Sequence, residues 1–509
     1  MKKIFTLLGL VFIAGTLSAC SDTVSVPDFM GKEYGDVLKW VKDYDIEISV
    51  VSEYNDDVEP GSIYFQSVEA GEKMSATGIL EIKYSRGYNP DTIIDVPDFT
   101  GKSMEDITTW LVENNIKKYS FQDTFDLSKG VGEYVSYEVS NTENRTSTLR
   151  RDTYTFNFSR GPIEIEEVAF DQGALRGVNL GGWFVLEGWM SPDLFNGING
   201  SDETIFMEEA ENAAERLETH WNTFITEEDF EYLSNHGVDY VRIPIPWWYQ
   251  GESFTYTHEG VTHNIQYLNS EFYIERAMEW AADYNIKVLL DLHTAPGCQN
   301  GFDNGGISGV LQWEQPQNVA KTIEVLKDIT IQFSPYSSLW GIELLNEPGW
   351  GVNLGTLMDF YKDAYLTIRE ENPTVWIGMH DGFRMYLEGD WSFFFRQNAF
   401  SNVFFDVHLY QTFGDDWGQF NIHDHLDWVE VEQYKAVHRY NGIVPVVVGE
   451  WSLGLQGNVY EGLNAESIFD LKVAYGNKQL NVYEGAFGWF FWNYKIDQTS
   501  HLEWDFKRL

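Results

Sequence analysis

The sequence of 509 residues is poor in cysteine and in basic side chains. Its two cysteines, Cys20 and Cys298, cannot form a disulfide framework or a cysteine-based metal site. The 34 basic residues against 79 acidic ones give a net charge of −45, which would repel DNA, RNA and anionic membrane surfaces, so a nucleic-acid partner is excluded. After the first twenty residues no run reaches the roughly 18 uninterrupted apolar residues of a membrane helix.

The composition nevertheless predicts a large folded core. Hydrophobic residues make up 43% of the chain and aromatic residues 16%, which is too apolar for a disordered acidic protein. At roughly 100–200 residues per domain, the length predicts two to four domains unless one is a large barrel. Aromatic rings also stack on the faces of sugars, although large barrels bury many rings in any case.

The first twenty residues have the parts of a bacterial export signal. Lys2 and Lys3 precede an apolar stretch, Ile4–Thr16, and the segment Leu17–Cys20 resembles a lipobox. We therefore expect residues 1–20 to be a lipoprotein signal peptide and lipobox, with Cys20 as the lipid anchor. This predicts an exported lipoprotein of the bacterial cell envelope, on the outer membrane and facing either the periplasm or the outside. An ordinary signal peptide followed by a chance cysteine is the alternative.

Residues 24–90 and 91–163 read as two copies of one small α+β module. Identical residue types recur at an offset of 70 residues, namely Val26–Phe29 as Val96–Phe99, Gly31 as Gly101, Lys32 as Lys102 and Trp40 as Trp110. Each copy continues with a helical pattern and ends in a strand followed by Ser-Arg-Gly. The pattern resembles PASTA domains of penicillin-binding proteins and bacterial serine/threonine kinases. The resemblance implies peptidoglycan contact, whereas a stiff spacer that holds the next domain off the membrane is the interpretation we favour.

Residues 166–509 alternate short apolar runs with amphipathic helices, which is typical of a parallel α/β sheet. The eight apolar runs lie near Val178, Val241, Val288, Ile342, Val375, Phe404, Val447 and Gly488. Eight runs in this length predict a (β/α)8 TIM barrel. A doubly wound sheet is the competing architecture, but residues 177–182 lack the third glycine and the following helix of a phosphate-binding turn.

Polar residues end most of these apolar runs, where barrel enzymes carry their chemistry. Glu347 and Glu450 end runs four and seven, 103 residues apart. The other polar residues near run ends include Arg242, His293, Asn346, His408 and Tyr410. Cleavage of an acetal needs a proton for the leaving oxygen and an anion beneath the developing oxocarbenium carbon. Two carboxyl groups in opposite protonation states would supply both.

Several segments carry a resemblance to a known family. They are Arg176–Glu187, Val241–Ile245, Gln299–Asn304, Leu345–Pro348, His380–Asp381 and Gly449–Ser452. Together they resemble glycoside hydrolase family 5, and within it the branch of fungal exo-β-1,3-glucanases. The resemblance implies a retaining glycosidase without metal or cofactor, with Glu347 as the general acid/base and Glu450 as the nucleophile. By the same resemblance the substrate is bound by Glu187, Arg242, His293, Phe302, Asp303, Asn304, Asn346, His408, Tyr410, Phe413 and Trp492, with the two phenylalanines as a clamp at the entrance.

The residue types also predict how the two carboxyl groups are kept in different states. Arg242 and Tyr410 are suited to donating hydrogen bonds to Glu450 and keeping it ionised, whereas Glu347 is expected to stay protonated in a less charged pocket. Asn346 is suited to binding the sugar 2-hydroxyl. A metal site for hydrolysis is the alternative, built from Asp291, His293, Asp406 and His408; no compact metal-binding motif supports it.

Three residues depart from the branch and leave the linkage specificity open. Thr294 replaces an expected glycine, and Val407 and Leu409 replace two of three consecutive histidines around His408. The predicted function is an exo-β-1,3-glucanase that releases glucose from β-glucan, held on the membrane by its lipid. A β-glucosidase acting on glycolipids, a β-1,6-glucanase and an endo-β-glucanase are alternatives of the same class. A surface glycan-binding protein without catalysis is the alternative of another class.

Overall fold

The computed structural model describes residues 23–124, 126, 128–140, 147–170, 173–385, 388–414 and 416–509. The predicted signal peptide and its lipid anchor Cys20 lie outside these residues. Among the described helices, none combines the length and the apolar character needed to cross a membrane. The chain forms two compact units, which divide between Pro162 and Ile163.

The first unit contains the two copies that the repeat predicts. The elements of the first copy are β1 (Thr23–Ser25), α1 (Tyr34–Tyr44), β2 (Glu47–Glu53), β3 (Ile63–Gln66), β4 (Lys73–Ser75) and β5 (Ile79–Ser85). Those of the second are α2 (Met104–Glu113), β6 (Tyr119–Thr124), β7 (Tyr134–Ser140) and β8 (Thr153–Ser159). Each copy has a three-stranded sheet whose central strand pairs in parallel with one neighbour and antiparallel with the other, in the orders β2-β5-β3 and β6-β8-β7. Strands β1 and β4 form a small sheet of their own.

The repeated residues pack in the same way in both copies, which explains why they recur. Phe29 meets Trp40 edge-on with ring centroids 5.5 Å apart, and Phe99 meets Trp110 edge-on at 5.1 Å. Both phenylalanines are buried in the core of their copy. Such edge-to-face pairs contribute beyond the apolar area they bury.

The second unit is a closed barrel of eight parallel strands, and the predicted TIM barrel is confirmed. Its strands are β9 (Leu175–Asn179), β10 (Tyr240–Ile245), β13 (Lys287–Leu292), β14 (Leu339–Glu343), β15 (Trp376–His380), β16 (Val403–His408), β17 (Val446–Trp451) and β18 (Gly488–Phe491), and β11 (Ser253–His258) and β12 (Val261–Gln266) form a hairpin after β10. The helices are α3 (Glu203–Glu209), α4 (Ala213–Thr223), α5 (Glu227–Asn235), α6 (Glu271–Asp283), α7 (Pro316–Phe333), α8 (Leu354–Glu371), α9 (Glu388–Asn398), α10 (Ile422–Trp428), α11 (Tyr434–His438) and α12 (Ala465–Tyr483).

Local sequence signals fix where several of these helices begin. Thr226 and Asp229 form a reciprocal capping box at the start of α5. The side chain of Asn464 accepts a hydrogen bond from the backbone of Ser467 at the start of α12. The strands read as continuous apolar runs because helices cover the barrel from outside. Charged side chains nevertheless lie inside the barrel, where Arg242, Asp291, Glu343 and Asp406 are all fully buried.

Candidate active site

Glu347 and Glu450 face each other at the carboxyl ends of the barrel strands. Glu347 follows β14 and Glu450 lies near the end of β17, and they are 7% and 4% exposed. His408, the last residue of β16, places its Nδ1 atom 2.7 Å from Oε1 of Glu347 and 3.4 Å from Oε2 of Glu450. Those two oxygens are therefore no farther apart than the sum of the two distances, about 6.1 Å. Retaining glycosidases separate their carboxyls by about 5–5.5 Å and inverting ones by about 6.5–9.5 Å, so the geometry favours retention.

Two donors, one from strand β10 and one from the loop after β16, hold the carboxylate of Glu450. Arg242 donates to its Oε1 at 2.9 Å, and the hydroxyl of Tyr410 donates to its Oε2 at 2.9 Å. The guanidinium is itself fixed by Glu343 at 2.8 Å and by Asn346 at 2.9 Å. Burial raises the pKa of Glu450 above its ordinary value, while the charges of His408 and Arg242 act in the opposite direction.

The expectation of a less charged pocket around Glu347 is wrong. Its Oε1 lies 2.7 Å from Nδ1 of His408, and its Oε2 accepts a hydrogen bond from the side-chain amide of Asn304 at 2.7 Å. Burial by itself raises the pKa of Glu347, but these hydrogen bonds and the charge of His408 outweigh it and leave that pKa below the ordinary value. Sequence could not show this, because His408 is 61 residues away from Glu347 in the chain.

The imidazole of His408 lies between the two glutamates. Burial lowers its pKa, but the charges of Glu450 and Asp406 and the hydrogen bond to Glu347 leave it well above the ordinary value. Asp406 lies on the far side of the ring, with Oδ2 3.4 Å from Nε2. The surroundings thus favour the charged form of the imidazole, which lies within hydrogen-bond distance of Glu347.

Glu187, Asp303 and Trp492 form the remaining walls of the site. One carboxylate oxygen of Glu187 accepts a hydrogen bond from the indole of Trp189 at 2.8 Å, and the other is buried without a partner among the described residues. Burial, and after it the charge of Asp303, raises the pKa of Glu187 well above its ordinary value. The indole of Trp492 stacks on the ring of His293 at 5.7 Å and an angle of 10°. A buried polar oxygen beside a flat ring suits a sugar hydroxyl and a sugar face.

The two predicted clamp residues are exposed on different loops of the same barrel end. Phe302 is 47% exposed after β13, and Phe413 is 64% exposed after β16. Phe413 meets the ring of Tyr410 edge-on at 5.2 Å, which ties the entrance to the residue that holds Glu450. Exposed aromatic rings at this position can stack on sugars that leave the pocket.

The four residues of the alternative metal site, Asp291, His293, Asp406 and His408, do not come together at metal-binding distances. His293 is paired with Asp291 at 2.5 Å, and Asp291 is engaged by Arg242 at 3.1 Å. Among the described residues, the groups with metal-like spacing instead combine His408 with Glu347 and His380, or with Glu343 and Asp406. Nδ1 of His380 accepts a hydrogen bond from the backbone of Gly382, so its neutral ring carries the proton on Nε2, where a metal would have to bind. The hydrogen bonds favour a proton-handling site.

Sequence reasoning assigned no role to Glu343, Trp189 and Trp504, which support this site, and named Asp406 only in the metal alternative. Glu343 and Asp406 are charged residues inside otherwise apolar strands, and that contrast was the available signal. Trp189 lies two residues after Glu187, to which it donates. Trp504 packs on Tyr410 and comes from the distant segment 502–504, so nothing in the local sequence indicated it.

Comparisons with known proteins bear directly on this geometry. Residues 206–498 match the family model described as cellulase, glycosyl hydrolase family 5. The chain belongs to glycosyl hydrolase family 5. It is therefore a glycosidase, and the family resemblance drawn from its motifs is confirmed. Residues 24–86 match the PASTA domain model, which confirms the resemblance of the first copy; the second copy has the same strand pairing.

Curated relatives match about two thirds of this family-5 chain. A glucan 1,3-beta-glucosidase of Blumeria graminis is 32% identical over 68% of this chain and 88% of that protein. A probable glucan 1,3-beta-glucosidase A of Emericella nidulans is 34% identical over 66% of this chain and 88% of that protein. Among solved structures, the rutinosidase from Aspergillus niger matches with a TM-score of 0.53 at 20% identity over 67% of this chain and 98% of that one. At that identity the likeness supports the fold.

Proposed function

We propose that this family-5 glycosidase is a retaining exo-β-1,3-glucanase that releases glucose from β-glucan. The observation that carries the proposal is the contact of one imidazole nitrogen of His408 with both carboxylates, at 2.7 and 3.4 Å, inside a buried pocket. The names of the relatives support the β-1,3-glucan substrate. Because Thr294, Val407 and Leu409 differ from the fungal branch, the linkage is the part of the proposal most in need of measurement.

In the proposed reaction Glu347 and Glu450 act from opposite sides of the glycosidic bond. Glu347, recharged from the proton held by His408, protonates the leaving oxygen while a carboxylate oxygen of Glu450 attacks the anomeric carbon. The bond to the leaving sugar breaks and a glucosyl ester of Glu450 forms. Glu347 then takes a proton from water and returns it to His408, while the water oxygen attacks the same carbon and releases glucose and the Glu450 carboxylate. Two inversions give net retention.

Arg242 and Tyr410 have distinct tasks in these steps. Both donate to Glu450 at 2.9 Å, so they orient the attacking oxygen and stabilise the carboxylate when it leaves. Glycosylation of Glu450 removes one negative charge beside Glu347. This change lowers the affinity of Glu347 for its proton in the second step, in which it must act as a base.

Replacement of either glutamate tests the proposal. We expect Glu347→Gln to lower kcat on laminarin by roughly 10²–10⁴-fold, because acid–base assistance is lost, and Glu450→Gln to lower it further. Azide should rescue Glu450→Ala with formation of α-glucosyl azide, and Glu347→Ala with formation of β-glucosyl azide. Proton NMR of the first product formed by the wild-type protein should show β-glucose. Glu466→Gln, an exposed change on α12, is the matched control.

The outcome also decides between the alternatives within the enzyme class. Glucose as the first product from β-1,3-glucan supports the proposal, whereas oligosaccharides would indicate an endo-acting enzyme. Faster hydrolysis of β-1,6-glucan or of a glucosylated lipid would reassign the substrate. Binding of laminarin without hydrolysis would instead identify a glycan-binding protein. Unchanged hydrolysis by either glutamine variant would contradict the role of that residue.

We further propose that Cys20 carries a lipid that holds the protein on the bacterial cell envelope. The lipobox-like segment Leu17–Cys20 and the charged and apolar residues before it support this proposal. The two modules then act as a spacer between the lipid and the barrel, with peptidoglycan contact as the alternative role. The match of residues 24–86 to the PASTA model is compatible with both roles.

A further inference from the structure

Trp504 lies where three parts of the proposed substrate site meet. It is carried by a short 3-10 helix, Leu502–Trp504, and is 8% exposed. Its ring lies 5.4 Å from Tyr410, 5.8 Å from Phe413 and 5.6 Å from Trp189. Of these partners, Tyr410 donates to Glu450 at 2.9 Å and Trp189 donates to Glu187 at 2.8 Å. Trp504 therefore packs behind three side chains of the site. They are Tyr410, which holds Glu450; Phe413, at the entrance; and Trp189, which holds Glu187.

The backbone around Trp504 is tied to the strands that carry the site. Its carbonyl accepts a hydrogen bond from the backbone of Asn493 at 3.1 Å, one residue after Trp492. The carbonyl of Glu503 accepts one from the backbone of Leu453 at 3.2 Å, three residues after Glu450. The side chain of Glu503 also pairs with Lys472 at 3.0 Å. The ring of Trp504 is thus held in register with the loops after β17 and β18.

The loop after β17 is shaped to accept this ring. A Cβ atom on Gly454 would lie 2.6 Å from Cζ2 of Trp504, far inside van der Waals contact. Only glycine allows the indole to come this close, and the indole then fills the space behind Tyr410. Packing on this side sets the rotation of the phenol ring, and with it the position of the hydroxyl.

We propose that Trp504 is a positioning residue that holds Tyr410 in the orientation in which its hydroxyl donates to Glu450. The proposal rests on the reaction proposed above, in which Glu450 is the nucleophile. A hydrogen bond weakens steeply when its angle departs from linearity, so a small rotation of the Tyr410 ring removes most of the interaction. A misplacement of about 1 Å is known to cost up to about a hundredfold in rate. Trp504 acts on the reaction through Tyr410 and does not touch the reacting atoms.

A double-mutant cycle on the full chain tests this, with kcat and KM for 4-nitrophenyl β-glucoside as the readout. We expect Trp504→Ala to lower kcat about tenfold with a smaller change in KM, and Trp504→Phe to restore most of the loss. In a Tyr410→Phe background, which lacks the hydroxyl, Trp504→Ala should change kcat less than about twofold. A purely structural role would lower kcat by the same factor in both backgrounds, and that result would overturn the proposal.

Gly454→Ala provides a second test that does not depend on the folding of Trp504→Ala. The added methyl group should displace the indole and lower kcat, and a smaller residue at position 504 should relieve that loss. Leu502→Ala, an exposed change in the same 3-10 helix, is the control and should leave kcat unchanged. Wild-type kcat in both Trp504→Ala and Gly454→Ala would contradict the inference. Absence of hydrolysis by the wild-type protein would instead contradict the proposed function.

Discussion

The charge state of the site is decided by a single imidazole. His408 lies within 3.4 Å of both Glu347 and Glu450, and two carboxylates this close and this buried could not both be ionised without a cation between them. Arg242 supplies a second positive charge, but it binds the other carboxylate oxygen of Glu450, Oε1. The proton on His408 is therefore both the charge that stabilises the pair and the source from which Glu347 can be protonated.

Asp406 should control the pH at which this proton is lost. Its carboxylate, 3.4 Å from Nε2 of His408, favours the charged ring, so Asp406→Asn should lower the pKa of His408. Because the charged form then deprotonates at lower pH, the alkaline limb of the kcat/KM profile should move to lower pH by at least about one unit. A pH profile on an aryl β-glucoside measures the shift.

Glu343→Gln is the matched control for that experiment. Burial raises the pKa of Glu343 well above its ordinary value, and the groups that raise the pKa of His408 are Glu450, Asp406 and Glu347. Replacement of Glu343 by an isosteric amide should leave the alkaline limb in place. A limb that does not move in Asp406→Asn, or that moves equally in both variants, would contradict the assignment of this limb to His408.

At the scale of the strand, a glycine on β17 makes room for the buried carboxylate of Asp406 inside the barrel. Gly449, immediately before Glu450 on β17, donates its backbone N–H to Oδ1 of Asp406 at 2.7 Å. A Cβ atom on Gly449 would lie 2.2 Å from the other oxygen of that carboxylate. Strand β17 can approach Asp406 on β16 only because this position has no side chain.

Gly449→Ala should therefore destabilise the barrel and the site together. We expect a loss of about 1–3 kcal/mol in the free energy of unfolding, because the methyl group displaces Asp406 and the hydrogen bond it accepts. Gly389→Ala in α9 is the control, since no atom lies within 4 Å of its added Cβ and alanine favours a helix. Urea unfolding monitored by tryptophan fluorescence measures both. Equal free energies of unfolding for the two variants would contradict this prediction, because they would show that Asp406 can move aside at little cost.

At the scale of the whole molecule, the chain combines a strongly acidic surface with a proposed attachment to a membrane. A net charge of −45 opposes adsorption to anionic lipid, so electrostatics cannot hold this protein on a bilayer. A covalent lipid at Cys20 would attach the protein to the membrane in spite of its negative charge. The modules would then keep the acidic barrel away from the bilayer surface.

The whole-chain prediction concerns Cys20. When the full chain is expressed in a bacterium with labelled palmitate, we expect label in the wild-type protein and its recovery with membranes. Cys20→Ala should carry no label and should lose the membrane association, whereas Cys298→Ala should retain both. Label that persists in Cys20→Ala would contradict the proposed anchor. Sedimentation of either protein with purified peptidoglycan would favour contact over the spacer role of the modules.

The sequence located the elements of the fold because their signals are local. The eight apolar runs became the eight barrel strands, since strands buried on both faces are mostly apolar along their length. The repeat from Phe29 to Phe99 marked two modules because the same aromatic pair recurs in each core. Glu347 and Glu450 could be selected because each ends an apolar run of the sequence and is flanked by motifs of a known family.

What only the tertiary structure decided is the environment of those two glutamates. The contact of His408 with Glu347 at 2.7 Å joins residues from two different strand ends. The packing of Trp504 on Tyr410 brings in a distant segment of the chain. The sequence by itself determined which side chains are available and at which end of the barrel they lie. It could not determine the charge of Glu347, because a pKa depends on distances of a few ångströms between groups that the chain brings together only on folding.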